Sequence, residues 1–333
     1  MLNLAHVYAS SNPQHRILMD NETPLKRRSH LKRSARDRGF RITDKDVDDI
    51  FEPLSRHAQL TTRQLVAYGS RNPIITKARL GELWHGTQGQ EQHYLHRLNE
   101  DILFANHLYV EDMHRLGEAG HQLLVSKGKV SLEPWVLNSR IGGNSTSPNR
   151  IIRLAHDHMV SNIMIDIEIG ARDAGVEFRS HIDILSRAPE ATREHKRPLR
   201  IPLRLDDRKT FVEPDALFAI GDRVYALEAD RGTETISTAI REKFLAYREL
   251  VADRVIDDWL GIDNLTVLIA TNSEKRMRNM MDELASIARK GKSVMFGFNS
   301  DPSFDQFLQT PRPEGRLICR PWERIGHEAL QLI

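Results

Sequence analysis

Two short segments constrain this chain more than any others: Val212-Glu213-Pro214-Asp215, and, one turn later, Tyr225-Ala226-Leu227-Glu228-Ala229-Asp230-Arg231-Gly232-Thr233-Glu234. Both read as strands, yet they carry acids where a core strand carries apolar side chains. Side chains alternate across a strand, so Glu213 and Asp215 share one face, and Glu228 and Asp230 share one face. Val212, Ala216, Phe218, Tyr225 and Leu227 occupy the opposite faces. Gly221-Asp222 supplies a two-residue turn, and an antiparallel hairpin then brings the acidic faces together. Clustered carboxylates raise one another's pKa unless a cation lies between them. Hard oxygen ligands of this kind suit Mg²⁺ or Mn²⁺, and such an ion points to phosphodiester cleavage.

At 333 residues the chain is long for one core and suits two domains. From Asp44 to about Leu137 the pattern is helical. Thr43 or Asp44 caps a first helix with Val47, Ile50, Phe51 and Leu54 on its apolar face. Thr61 caps a second over Thr62 to Tyr68, stopped at Gly69. Asn72-Pro73 opens a third from Ile74 to His85, ended by Gly86. Three short helices joined by tight turns read as a helix-turn-helix, with Tyr94-Leu95 and Leu108 to Leu116 supplying a wing. The third helix of such a unit enters the major groove of double-stranded DNA, where exposed Thr76, Lys77 and Arg79 would meet bases or phosphates. A three-helix cluster without a DNA role is the plain alternative.

The region before it weighs against that alternative. Between Leu25 and Arg41 stand Lys26, Arg27, Arg28, Lys32, Arg33, Arg36, Arg38 and Arg41, opposed only by Asp37, an asymmetry hidden in a net charge of +2. This basic arm, residues 1–43, is either a footprint for nucleic acid or a solvated, disordered tail. Cys319 is the only cysteine, which excludes an internal disulfide and a cysteine-based zinc site. No apolar run approaches the roughly 20 residues that span a bilayer. The N-terminus has no secretory pattern, so a cytoplasmic protein without membrane contact is expected.

Asn138 to Asn149, with Gly142-Gly143 and Ser147-Pro148, reads as a linker between a unit at 44–137 and another at 150–333. Beyond it the pattern mixes helix and strand. Asn149 to Ala174 reads as a helix, Val176 to Leu185 as a strand and Ala188 to Asp207 as a charged insertion before the acidic hairpin. A helix from Ser237 to about Asp253 carries Ile240, Phe244, Tyr247 and Val251 on one stripe. Leu265 to Thr271 is a buried strand, Glu274 to Arg289 a helix and Ser293 to Phe298 a last strand. The order α-β-β-β-α-β-α-β predicts an α/β fold, with a mixed sheet flanked by helices.

That order, with Pro214-Asp215 on one strand and Glu228-Ala229-Asp230 on the next, resembles the PD-(D/E)xK nuclease superfamily. The helix-turn-helix half followed by Pro-Asp-Ala-Leu-Phe and Leu-Glu-Ala-Asp-Arg-Gly-Thr-Glu resembles, more narrowly, the replication-relaxation family of plasmid and conjugation proteins. The resemblance runs from about Asp44 to Trp322 and includes Arg79-Leu80, Tyr94-Leu95, Gly120, His156, Lys243, Tyr247 and Pro321-Trp322. It implies an N-terminal winged helix-turn-helix domain and a C-terminal restriction-endonuclease-like domain. It also implies Asp215 and Glu228 as metal ligands, with the Ala229 carbonyl as a third. The superfamily usually has lysine where Asp230 stands. Either Asp230 becomes another ligand or catalysis is impaired. Lys243 on the following helix is the candidate for a migrated lysine; a surface lysine is its plain reading.

His156 shares a helix face with Val160, Ile163 and Ile167. It is either a satisfied buried histidine or a general base or phosphate contact. Glu168 and Glu177 are candidates to complete a metal shell, and solvated acids are the plain alternative. Arg231 and Thr233 follow a strand end where phosphate could be held. Tyr225 and Tyr247 lie on apolar faces, which favours packing over a nucleophilic role. The leading expectation is a metal-dependent, relaxase-like nickase of plasmid or mobile-element DNA that uses a metal-bound water. The winged helix would choose the site, and other replication or mobilisation proteins are its expected partners. A homodimer is compatible with this. The alternative is a non-cleaving accessory or copy-control factor, or a transcription regulator, that keeps the fold.

Overall fold

The computed structural model describes residues 33–35, 37, 39–89, 92–97, 111–130, 148–205, 208–306 and 310–333. Lys26, Arg27, Arg28, Lys32 and the part of the expected linker from 138 to 147 lie outside them. Capping chemistry sets the first half. The Thr43 amide donates to Asp46 Oδ2 at 2.8 Å. Helix α1 then runs through Asp44–Asp46, a π-helical turn Val47–Phe51 and Glu52–Arg56. Strand β1 (Leu60–Thr61) leads into α2 (Thr62–Tyr68), where Thr61 and Gln64 cap each other's amides. Asn72 caps α3 (Pro73–His85), and Gly86, at φ 70°, ends it. Strands β2 (Leu95–Arg97) and β3 (Met113–Leu116) pair antiparallel. β1 completes a three-stranded sheet in the order β1-β3-β2, and α4 (Glu118–Ser126) follows. Val47, Ile50, Phe51, Leu65, Leu80 and Trp84 lie in its core.

The helix after residue 147, α5 (Pro148–Asp173), belongs to two cores at once. Ile165 and Ile169 enter the first core, whereas Met159, Ile163 and Ile167 enter a second one on the large sheet. Rows offset by two residues lie on nearly opposite sides of a helix, so one helix serves both. Polar contacts add to the joint. Glu168 accepts from Arg56 at 2.7 Å, His57 Nε2 at 2.8 Å and the Tyr68 hydroxyl at 3.1 Å. Burial pushes the Glu168 carboxyl up, but Arg56 and His57 outweigh it and hold its pKa at about 2. Glu168 is therefore no part of a metal shell, because its oxygens face the first half. Glu177 is exposed, as a surface acid should be.

The second half continues with β4 (Phe178–Ser180), α6 (His181–Ser186), α7 (Glu190–Arg193), β5 (Ile201–Leu205), β6 (Arg208–Val212), β7 (Ala216–Ile220) and β8 (Arg223–Asp230). A π-helical turn Ile236–Ile240 opens into α8 (Arg241–Ala252), followed by α9 (Val255–Leu260), β9 (Thr266–Thr271), α10 (Glu274–Ile287), β10 (Phe296–Ser300), β11 (Trp322–Arg324) and β12 (His327–Leu330). Seven strands form one sheet in the order β12-β11-β10-β9-β8-β7-β4. Only β8-β9-β10 run parallel, so the sheet is mixed, as expected. α8, α9 and α10 cover one face, with Phe244, Leu250, Leu260 and Met280 in its core. α5 covers the other.

The predicted strand Val176 to Leu185 is strand only over Phe178–Ser180 and turns helical from His181. The Ser180 amide and hydroxyl both donate to Asp183 Oδ2, at 2.8 and 2.7 Å, and this cap starts α6. The charged insertion contains β5, which pairs with β6 just beyond it as a two-stranded ribbon; along β5, Ile201, Leu203 and Leu205 alternate inward with exposed Pro202 and Arg204.

Two buried histidines make stability depend on acidity. Burial lowers His114 to about 3 and His158 to about 4. Below the ordinary histidine pKa of about 6.5 the unfolded chain therefore takes up protons that the native chain refuses. Each histidine should cost roughly 1.4 kcal/mol of stability per pH unit as the pH falls from there towards its native pKa. Urea unfolding across that range should show this steep decline, and a flat profile between about pH 6.5 and 5 contradicts it.

Candidate active site

The hairpin places its acids through backbone bonds. β7 and β8 pair from Ala216↔Leu227 to Ile220↔Arg223, across Gly221-Asp222, with Gly221 at φ 54°. Asp215 sits immediately before β7 rather than within a strand. Its amide donates to the Leu227 carbonyl at 3.0 Å, and the Ala229 amide donates to Asp215 Oδ2 at 2.8 Å. Those two bonds straddle Glu228, so the carboxyl groups of Asp215 and Glu228 are neighbours at one cleft.

Glu228 is buried and doubly held. Lys243 Nζ donates to its Oε2 at 2.8 Å, and the Tyr247 hydroxyl donates to its Oε1 at 2.5 Å. Lys243 and Tyr247 are four residues apart on α8 and so share a face. Burial raises the Glu228 carboxyl; Lys243 draws it back and Asp215 pushes it further up. For Lys243, burial favours the neutral amine, but Glu228, Asp215 and Glu234 together raise its pKa, which keeps the ammonium charged. Glu234 Oε2 lies 3.4 Å from it. Lys243 therefore lines the cleft, bonded to Glu228, rather than standing alone on the surface.

His156, on α5, donates from Nε2 to Asp215 Oδ2 at 3.2 Å, and its Nδ1 lies 3.7 Å from Asp157. Burial pulls its pKa down, yet Asp157 and Asp215 outweigh this and raise it to about 10. The ring is then a cation at neutral pH. That fits an anion contact and opposes a general base in this state. His156, Asp215, Glu228, Glu234 and Lys243 line a cleft of about 100 Å³, with Thr233 at its wall.

Other expected site residues are committed elsewhere. Asp230 also lines the cleft, but its carboxylate is clamped by Arg276. Arg276 donates to both oxygens, at 2.7 Å to Oδ1, while Thr271 Oγ1 adds a bond to Oδ2 at 3.2 Å. Asp230 therefore does not join Asp215 and Glu228 in a triad of open acids, and no three His, Cys, Asp or Glu side chains gather as a metal cage among the described residues. Glu213 turns to Arg197 at 2.7 Å. Arg231, expected at a phosphate, forms two bonds to Asp305, at 2.7 and 3.2 Å.

In the first half, Thr76 is buried, with its hydroxyl on the Asn72 carbonyl at 3.2 Å, so it is not the exposed base reader expected. Arg79 donates from Nε to Asp46 Oδ1 at 3.0 Å and also bonds Glu82. It braces α3 against α1. Arg33 donates to the Leu95 carbonyl at 3.0 Å and lies beside Trp84. Of the α3 candidates only Lys77 is exposed. Tyr247 is buried, as its place on an apolar stripe predicts, and its hydroxyl also reaches Glu228. The four-residue spacing from Lys243 carried that signal. Arg276 had none, since it reaches Asp230 only through the fold.

The sequence model of the replication-relaxation family matches residues 51–262. Comparisons with curated proteins and with solved structures gave no match. Among the described residues no helix is long and apolar enough to cross a membrane.

The Asp230–Arg276 pair separates a structural acid from a metal ligand. Asp230→Asn removes the carboxylate that Arg276 grips with two bonds and should lower stability by about 2 kcal/mol in urea unfolding, the cost of losing a charged hydrogen bond. A gain in stability would mean that Asp230 repels the other acids instead.

Proposed function

The chain belongs to the replication-relaxation family, and from that premise we propose that it is a metal-dependent DNA nickase. The family ties it to replication or mobilisation, and the substrate in this reading is double-stranded plasmid or mobile-element DNA. Helices α1 to α3 with the sheet β1-β3-β2 are read as a winged helix-turn-helix. Lys77 is its exposed candidate contact on α3. The second half is read as a PD-(D/E)xK nuclease domain. One observation carries the nuclease reading: Lys243, from the helix after the acidic hairpin, reaches Glu228 at 2.8 Å inside the cleft that holds Asp215.

Asp215 and Glu228 would hold Mg²⁺ or Mn²⁺, and two hard carboxylates suffice for an ion that keeps several of its waters. A bound ion of this kind polarises a phosphate and lowers the pKa of water, which is the nucleophile in this reading. The chain's own groups do the positioning. Tyr247 fixes the orientation of Glu228, while the Ala229 amide and His156 fix that of Asp215. Lys243 supplies the positive charge that Asp230 cannot, and would stabilise charge developing on the phosphate. Asp230 serves by anchoring the end of β8 to α10 through Arg276.

A non-cleaving DNA-binding factor is the second reading, favoured by the ion pairs that already occupy both acids. Supercoiled plasmid incubated with the full chain and Mg²⁺ or Mn²⁺ separates the two. Nicking should vanish in Asp215→Ala and slow by about a hundredfold in Lys243→Ala, the usual effect of removing a charge-stabilising donor. Binding without nicking under either metal supports the accessory factor.

A further inference from the structure

The ribbon of β5 and β6 leads straight into the site, since Asp215 follows Val212 by three residues. Its inner side chains Ile201, Leu203 and Val212 pack into the core shared with Phe244 of α8. Its outer face is not apolar padding. Cross-strand pairs there are Pro202↔Phe211 and Arg204↔Lys209, and all four residues are exposed. Phe211 is 45% exposed, an unusual position for a large aromatic ring. The Arg200 guanidinium lies 3.5 Å from its ring centroid. Arg204 and Lys209 make no ion pair among the described residues. Arg197 and Glu213, bonded at 2.7 Å, tie the base of the ribbon beside Asp215.

We propose that this outer face binds one unpaired DNA strand and leads it to the cleft. An exposed aromatic ring with a stacked guanidinium is a platform for a nucleobase, because every base presents a π face. The cations beside it suit the phosphates between successive bases. Lys209 and Phe211 lie two residues apart on one strand face, about 7 Å along the ribbon. An apolar protein partner fits poorly, since Arg204 and Lys209 would lose their hydration without a countercharge. A nick cuts one strand of the two, and the ribbon supplies a surface for that strand. This inference rests on the proposed cleavage function and names the form of the strand that the cleft receives.

Binding measured in EDTA keeps it distinct from nicking. Fluorescence anisotropy with labelled oligothymidylate, and with a duplex of equal length, uses the full chain. Phe211→Ala should weaken oligothymidylate binding by about tenfold, the loss of one stacked base. Phe211→Trp should restore it, and duplex affinity should stay within about twofold, because paired bases offer no free face. Arg204→Ala with Lys209→Ala should weaken oligothymidylate binding and reduce its salt dependence by about 1.4 units of slope, as two phosphate contacts are lost. Wild-type failure to bind oligothymidylate overturns the assignment. So does unchanged oligothymidylate binding in both variants, or an equal loss on the duplex. If both variants behave as expected while plasmid is never nicked, the strand-binding face stands and the nuclease reading falls.

Discussion

Two carboxylates forced side by side where neighbouring strands of a sheet begin and end must be neutralised, and the architecture of the second half answers that demand. The hairpin fixes Asp215 against the backbone on either side of Glu228. Strand pairing keeps the two residues adjacent along the hairpin. Countercharge therefore has to come from the layers above and below the sheet. α8 delivers Lys243 from one side and α5 delivers His156 from the other. The sheet, with a helix on each face, is the frame that lets two cations converge on two anions. In the proposed function this arrangement is a resting state, in which a divalent ion would compete with both cations for the same oxygens.

α5 links the site to the first half. It carries His156 near one end and, three turns on, Glu168 in a buried cluster with Arg56, His57 and Tyr68. Its two apolar rows belong to different cores. A rigid helix shared in this way gives the first half and the cleft a fixed common element. Removing one partner from a buried ionic cluster leaves an uncompensated charge, which is why Glu168 holds the halves together rather than serving chemistry.

Much of this was legible in the sequence, and the parts that were not share a cause. Caps were readable because they are local: Thr61 with Gln64, Asn72 before Pro73 and Gly86 all act where they stand. The hairpin was readable for the same reason, since Gly221-Asp222 and strict alternation determine its faces. Lys243 was a candidate only through the superfamily resemblance, since its place beside the apolar stripe fits a surface lysine equally well. Arg79 and Thr76 misled, because exposure on a lone helix differs from exposure once α1 supplies Asp46. Asp230 misled in the same way, as its partner Arg276 lies 46 residues further along. β5 was hidden in a charged segment although its alternation of Ile201, Leu203 and Leu205 was present. β11 and β12 are short edge strands whose pairing comes from the sheet rather than from their own pattern.

Affinity for a divalent ion tests the central claim most directly. Electron paramagnetic resonance of Mn²⁺ titrated into the full chain reads free ion against bound. Binding should be present in the wild type, be lost in both Asp215→Ala and Glu228→Ala, and survive in Asp230→Asn. Equal Mn²⁺ binding in all four proteins, or loss only in Asp230→Asn, would contradict a site built on the two neighbouring acids.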